Sequence, residues 1–150
     1  MAYEYTESGL KIRLYNGYEI VEHPEYGEMV SIHNVLGLHD RIGHDIATQH
    51  RPMTGAEFRF LRRELELSQG TLAGLLGTSE QNISLWERDI DAAVKNRSAD
   101  RLLRAIYLEA KNDGSPLGKL LAELAGNEHE LALIRELQYD EKQGDWKLAA

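Results

Sequence analysis

The spacing of apolar residues changes period along this chain. From Lys11 to Tyr15 and from Tyr18 to Glu22 apolar and polar positions alternate, the pattern of a half-buried strand. Asn16-Gly17 between them predicts a tight hairpin. Pro24 and Gly27 punctuate, and Glu28 to Ile32 predicts a third strand. Three short strands bury little alone, so a helix is expected to cover them. Asn34 to Thr48 is the candidate, with Leu36, Ile42 and Ile46 apolar, although Gly37 and Gly43 disfavour it. Residues 49–53 form a boundary, because Pro52 interrupts a continuous helix.

Helical spacing dominates after Pro52. Thr54-Gly55-Ala56-Glu57 spells a capping box, opening a helix to about Leu67 with Phe58, Leu61 and Leu65 inward. Ser68 caps a helix from Gln69 to about Leu76, and Gly77 supplies the left-handed residue that ends it. Ser79 caps the next, roughly Glu80 to Arg88, with Ile83, Trp86 and the neighbourhood of Leu85 expected in the core. Asp91 to Arg97 reads as a polar loop, and Ser98 as the cap of a helix to about Lys111. Leu102, Leu103, Ile106 and Ala110 make that helix's apolar face. Ser115-Pro116 opens a tail helix carrying Leu117, Leu120, Leu121 and Leu124, followed by another near Glu128 to Leu137. Asp140 to Ala150 is expected to be frayed, with Trp146 tucked against the body.

The stretch Ser68 to Asp89, SQGTLAGLLGTSEQNISLWERD, resembles the Xre/Cro/cI-type helix-turn-helix regulators. Gln69, Ala73, Gly77, Ile83 and Trp86 carry that resemblance, with Leu67-Ser68-Gln69 at the start and Trp86-Glu87-Arg88 at the end. Asp89 departs from it, because many relatives place glycine there. The resemblance implies a five-helix lambda-repressor-like DNA-binding domain, often dimeric. The expected fold is therefore mainly α with a small N-terminal β-rich, α+β unit. Residues 1–50 form that unit, 51–112 the helix-turn-helix domain, and 113–150 C-terminal helices available for dimerisation.

Composition alters this picture only slightly. A net charge of −8 opposes binding to a polyanion. Its distribution softens that objection: residues 51–104 hold nine basic and eight acidic side chains, and eight of the nine are arginine. Cysteine is absent, so disulfides and thiolate metal sites are excluded and a cytoplasmic location is expected. Neither a secretory signal nor a membrane span is visible.

If the second motif helix lies in a major groove, its N-terminal residues reach base edges. Those are Glu80, Gln81, Asn82 and Ser84, with Arg88 further along. Gln81 and Asn82 can bond adenine in bidentate fashion, and Ser84 reads less selectively. Glu80 can accept from cytosine or simply favour the helix N-terminus. Gln69 is expected at a phosphate, Thr71 and Ser79 join the candidate set, and Lys95 and Arg97 are phosphate contacts from the following loop. Arg59, Arg62 and Arg63 either face DNA or balance Glu57, Glu64 and Glu66 as ion pairs along their own helix, and ion pairing is the expectation for most of them.

The six histidines do not suggest a metal site. His39 and His44 stand about 140° apart round a helix. His33 and His44 would share a face but about 16 Å apart. Asp40 and His44 make only a two-ligand pair. Gly114 to Lys119 has the wrong spacing for a phosphate loop, and no hydrolase, zincin or dinucleotide motif is present. No enzyme, cofactor or metal is expected.

The expected function is sequence-specific binding of double-stranded DNA by a dimeric transcription repressor on a pseudo-palindromic operator. Residues 1–50, around Tyr5 to Leu10, Tyr26-Gly27-Glu28 and Leu38-His39, loosely resemble the extra domain of MqsA- and HigA-like antitoxins, without the zinc-binding cysteines. The alternatives are an antitoxin whose acidic N-terminal unit neutralises a toxin, and an interaction module that has lost DNA binding.

Overall fold

The computed structural model describes residues 2–112, 119–120 and 138–149. Among these residues it is a mixed α+β structure whose named helices are α1 Val35–Thr48, α2 Gly55–Glu64, α3 Gln69–Leu76, α4 Glu80–Arg88 and α5 Arg97–Ala110. The strands are β1 Tyr3–Tyr5, β2 Ile12–Leu14, β3 Tyr18–His23, β4 Gly27–Ile32, β5 Tyr139–Lys142 and β6 Asp145–Leu148. They make three two-stranded antiparallel sheets, β1-β2, β3-β4 and β5-β6.

Side-chain caps set the helix starts. Thr54 and Glu57 complete the reciprocal capping box of α2. Ser68 and Ser79 accept from Thr71 N and Asn82 N at the starts of α3 and α4. α5 differs from the sequence expectation. Its cap is Asn96, which accepts from Ala99 N at 3.0 Å, not Ser98. Arg97 is consequently the first residue of α5 rather than part of the loop. α2 stops at Glu64, short of the expected Leu67, because Glu66 turns left-handed (φ 58°) and redirects the chain to bury Leu67.

One apolar cluster joins all five helices. Ile42 and Ile46 of α1, Phe58 and Leu61 of α2, Leu72 of α3, Ile83 of α4 and Leu103 and Tyr107 of α5 belong to it. Contacts thus cross Pro52, and Leu10 reaches the same cluster from the segment between β1 and β2. Gly43 is needed for this closure: a Cβ there would run into the Tyr107 ring and hydroxyl. Gly55 likewise admits the main-chain oxygens of Trp86 and Asp89. The glycine that disfavours helix α1 locally is therefore what lets it pack. Leu36 does not join, being 76% exposed, because it lies well round the helix from Ile42. Leu102, expected on the apolar face of α5, is also exposed.

The Asn16-Gly17 hairpin does not form. β2 pairs back with β1, Tyr5 opposite Ile12, while β3 pairs with β4 across Pro24–Tyr26. Tertiary anchors decide this pairing. Buried Tyr5 shares a 2.6 Å hydrogen bond with His39 Nε2, and His39 Nδ1 lies 3.3 Å from Glu64. Burial, with Glu7 and Glu64 nearby, raises the Tyr5 pKa. β1 is thereby tied to α1 and α2.

The segment expected to be frayed is the hairpin β5–β6, and Trp146 is 72% exposed rather than tucked in. Gln143 and Gly144 both take positive φ in its turn, which closes a ladder that Tyr139, Trp146 and Leu148 favour. The helices expected over Ser115–Leu124 and Glu128–Leu137 lie outside the described residues, except for helical Lys119–Leu120.

Candidate nucleic-acid interface

α3 and α4 are joined by three residues, Gly77, Thr78 and Ser79. Gly77 is left-handed (φ 70°, ψ 33°), and its N–H and that of Thr78 both bond Ala73 O, ending α3 with its carbonyl satisfied. Leu72 and Ile83, both fully buried, hold the pair against the core. Phe58 meets Trp86 edge-on at 5.8 Å, with Trp86 only partly buried.

The deepest polar contact in this region is a buried carboxylate. Glu87 of α4 accepts from Arg62 Nε at 2.7 Å, from Arg62 Nη2 at 2.8 Å and from Gln69 Nε2 at 3.1 Å. Arg62 Nη1 also donates to Leu67 O at 2.9 Å. Three elements and the α2–α3 bend are therefore fixed by one charge-assisted network. The expectation that Arg62 pairs along its own helix is corrected. Glu57 is held by Arg51, Glu64 faces His39, and the partner of Arg62 comes from α4. A signal for this exists in the sequence: Glu87 follows Ile83 by four residues, on the stripe that must be buried.

The outer face of α4 is open. Glu80, Gln81, Asn82, Leu85 and Arg88 are exposed and Ser84 is half-buried. Asn82 Nδ2 donates to Thr78 Oγ1 at 3.0 Å, leaving its carbonyl oxygen uncommitted by that bond. Arg88 donates to Ser84 Oγ at 3.2 Å. Leu85, expected near the core, is 55% exposed and stands among these polar groups. Its side chain points outward because Ile83 and Glu87, two residues to either side, take the inward face.

Other candidate residues have structural work of their own. Gln69 is half-buried on Glu87, Ser79 caps α4, and Thr71 N and Oγ1 both bond Ser68 Oγ. Lys95 and Arg97 are exposed at the start of α5 and its approach, and neither has a hydrogen bond or ion pair among the described residues. The described residues contain no convergent group of three or more His, Asp or Glu side chains that could hold a metal. Among the described residues, the side chains with displaced pKa values, Tyr3, Tyr5, Glu7 and Tyr107, belong to β1, the loop after it and α5 rather than to α3 or α4. No helix among the described residues is long and apolar enough to cross a membrane.

Comparison of the chain with protein-family models, with curated proteins and with solved structures gives no match.

Proposed function

We propose that this protein is a sequence-specific DNA-binding transcription regulator in which α3, its turn and α4 act as a helix-turn-helix, with α4 as the reading helix. The observation that carries the proposal is the split character of α4. Its inner face is locked by Ile83 and by the Glu87–Arg62–Gln69 network. Its outer face presents Gln81, Asn82, Ser84, Leu85 and Arg88, side chains that contribute little to folding. Amides recognise adenine edges, an arginine recognises guanine or phosphate, and an exposed leucine recognises a thymine methyl. Locking the inner face preorganises the outer one. Two copies would place two such helices in successive major grooves and block polymerase.

The test is fluorescence anisotropy of the purified protein on DNA from upstream of its own gene. Wild type is compared with Gln81→Ala/Asn82→Ala at two salt concentrations, with unrelated duplex as competitor. Competitor-resistant binding that the folded variant loses is the expected result. Equal, non-selective binding by both proteins would overturn the proposal.

A second reading has one specific observation behind it. The β3–β4 ribbon carries Glu19, Glu22, Glu25 and Glu28 with no lysine or arginine, and Glu22 stands directly opposite Glu28. Ile20, Val21 and Met29 are exposed on it. Like charges in register weaken a ladder, and a basic partner would relieve them. An antitoxin capturing a basic toxin through this ribbon, and binding DNA to regulate itself, is compatible with the first reading.

A further inference from the structure

Away from α4, arginines gather at a small cleft. His50, Arg51, Arg97, Asp100, Arg101 and Arg104 line a space of about 210 Å³ between the α1–α2 linker and the first half of α5. Two of the four arginines are neutralised and build the walls. Arg104 donates Nε to buried Asp100 and its terminal nitrogens to Gln49 O and Arg51 O, fastening the linker onto α5. Arg51 forms a two-pronged pair with Glu57, at 3.0 and 2.8 Å.

Arg97 and Arg101 are different. They stand four residues apart on one face of α5, and neither has a hydrogen bond or ion pair among the described residues. Two cations at that spacing repel each other, and Arg97 at the first helical position also opposes the helix dipole. In a chain with a net charge of −8 this local excess gives the fold nothing that the walls do not already supply.

We infer that this cleft binds a phosphoryl group, held between the guanidinium groups of Arg97 and Arg101. Two planar, permanently charged forks match a tetrahedral group of up to two negative charges, whereas a single carboxylate would neutralise only one of them. The space is below the roughly 300 Å³ at which sites for drug-sized ligands begin, so the recognised unit is the phosphoryl group rather than a whole nucleotide. His50 at the rim adds a donor. The group can come from a DNA backbone or from a free phosphate. The inference extends the phosphate contact that the sequence leads one to expect of Arg97, but it rests on the cleft and does not require α4 to read bases.

The experiment is an NMR titration of the full ¹⁵N-labelled chain. It follows the Nε–H signals of Arg97 and Arg101 and the amides of Arg97 and Ser98. One arm adds inorganic phosphate, a second adds the upstream duplex, and sodium chloride at matched ionic strength is the control. Saturable shifts at both arginines in at least one arm are expected, with their loss in R97Q/R101Q while the rest of the spectrum stays unchanged. In the duplex arm R101Q should also lower the slope of log affinity against log salt by about 1. Chloride reproducing the shifts, no saturation in either arm, or an unchanged titration of R97Q/R101Q would each overturn the site. Saturation by phosphate without duplex binding keeps the site and removes the DNA reading. Duplex binding that depends on Gln81 and Asn82 but is indifferent to R101Q keeps the DNA reading and removes the DNA backbone as the source of the group; if phosphate does not saturate the arginines either, the site is overturned.

Discussion

Arg62 on α2 and Glu87 on α4, twenty-five residues apart, satisfy each other inside the protein, each with little of its side chain exposed. A buried pair of this kind is costly to break on one side, because the survivor keeps its charge without a partner. Arg62→Met is therefore expected to lower the unfolding free energy by about 3–5 kcal/mol. The double variant Arg62→Met/Glu87→Leu should recover much of that loss. Urea unfolding of the three proteins checks this, and additive losses in the double variant would contradict it.

Tyr107 is buried, and its hydroxyl has no hydrogen-bond partner among the described residues. Tyr107→Phe should raise stability by about 1 kcal/mol, since an unpaired buried hydroxyl costs roughly its desolvation. Gly43→Ala should lower stability by about 1–3 kcal/mol, because its methyl group meets the same ring. The two changes share a contact, so the loss should be smaller in the Tyr107→Phe background. Thermal unfolding of the four-member cycle decides.

Burial, aided by Glu64 and Asp40, raises the Tyr107 pKa from 10.0 to about 12. Above pH 10 the unfolded chain releases this proton while the folded chain keeps it, so folding stability falls as pH rises. The window runs from about pH 10 to 12, and the loss at its end is on the order of 2 kcal/mol. Tyr107→Phe should lack this part of the alkaline decline. Urea midpoints measured between pH 9 and pH 11 would show the difference.

The two caps proposed for α5 make opposite predictions. Asn96→Ala should cost about 1 kcal/mol, whereas Ser98→Ala, lying inside the helix, should change stability by less than about 0.5 kcal/mol. A larger effect at Ser98 would move the helix start back to the position that the sequence suggests.

If α4 reads DNA as proposed, Leu85 separates reading from folding. Being exposed, Leu85→Ala should leave stability within about 0.5 kcal/mol of wild type. Operator affinity should fall about tenfold, the size of losing one base contact, with binding to unrelated duplex unchanged. Parallel anisotropy titrations on the two duplexes measure both.

Local chemistry made much of this protein legible. Ser68, Gly77 and Ser79 set the ends of α3 and α4 through bonds spanning no more than a few residues, so the sequence alone locates them. The same holds for the capping box at Thr54 and for Ile83 as a core residue. Gln143-Gly144 is a local turn too, but the strands beside it are only four residues each, too short for their alternation to stand out.

Long-range contacts decided the rest. The Asn16-Gly17 dipeptide favours a hairpin locally, but Tyr5 and Leu10 gain burial only if β1 pairs with β2. Gly43 reads as a helix breaker until Tyr107, from a helix far along the chain, is seen to occupy the space of the missing side chain. Arg62 has acidic neighbours on its own helix, yet its partner is Glu87 of α4, a carboxylate that burial removes from water. Capping and turn geometry depend on neighbours in the chain and are written in the sequence. Which partner a buried group takes depends on what the whole fold brings within bonding distance, and only the tertiary structure decides that.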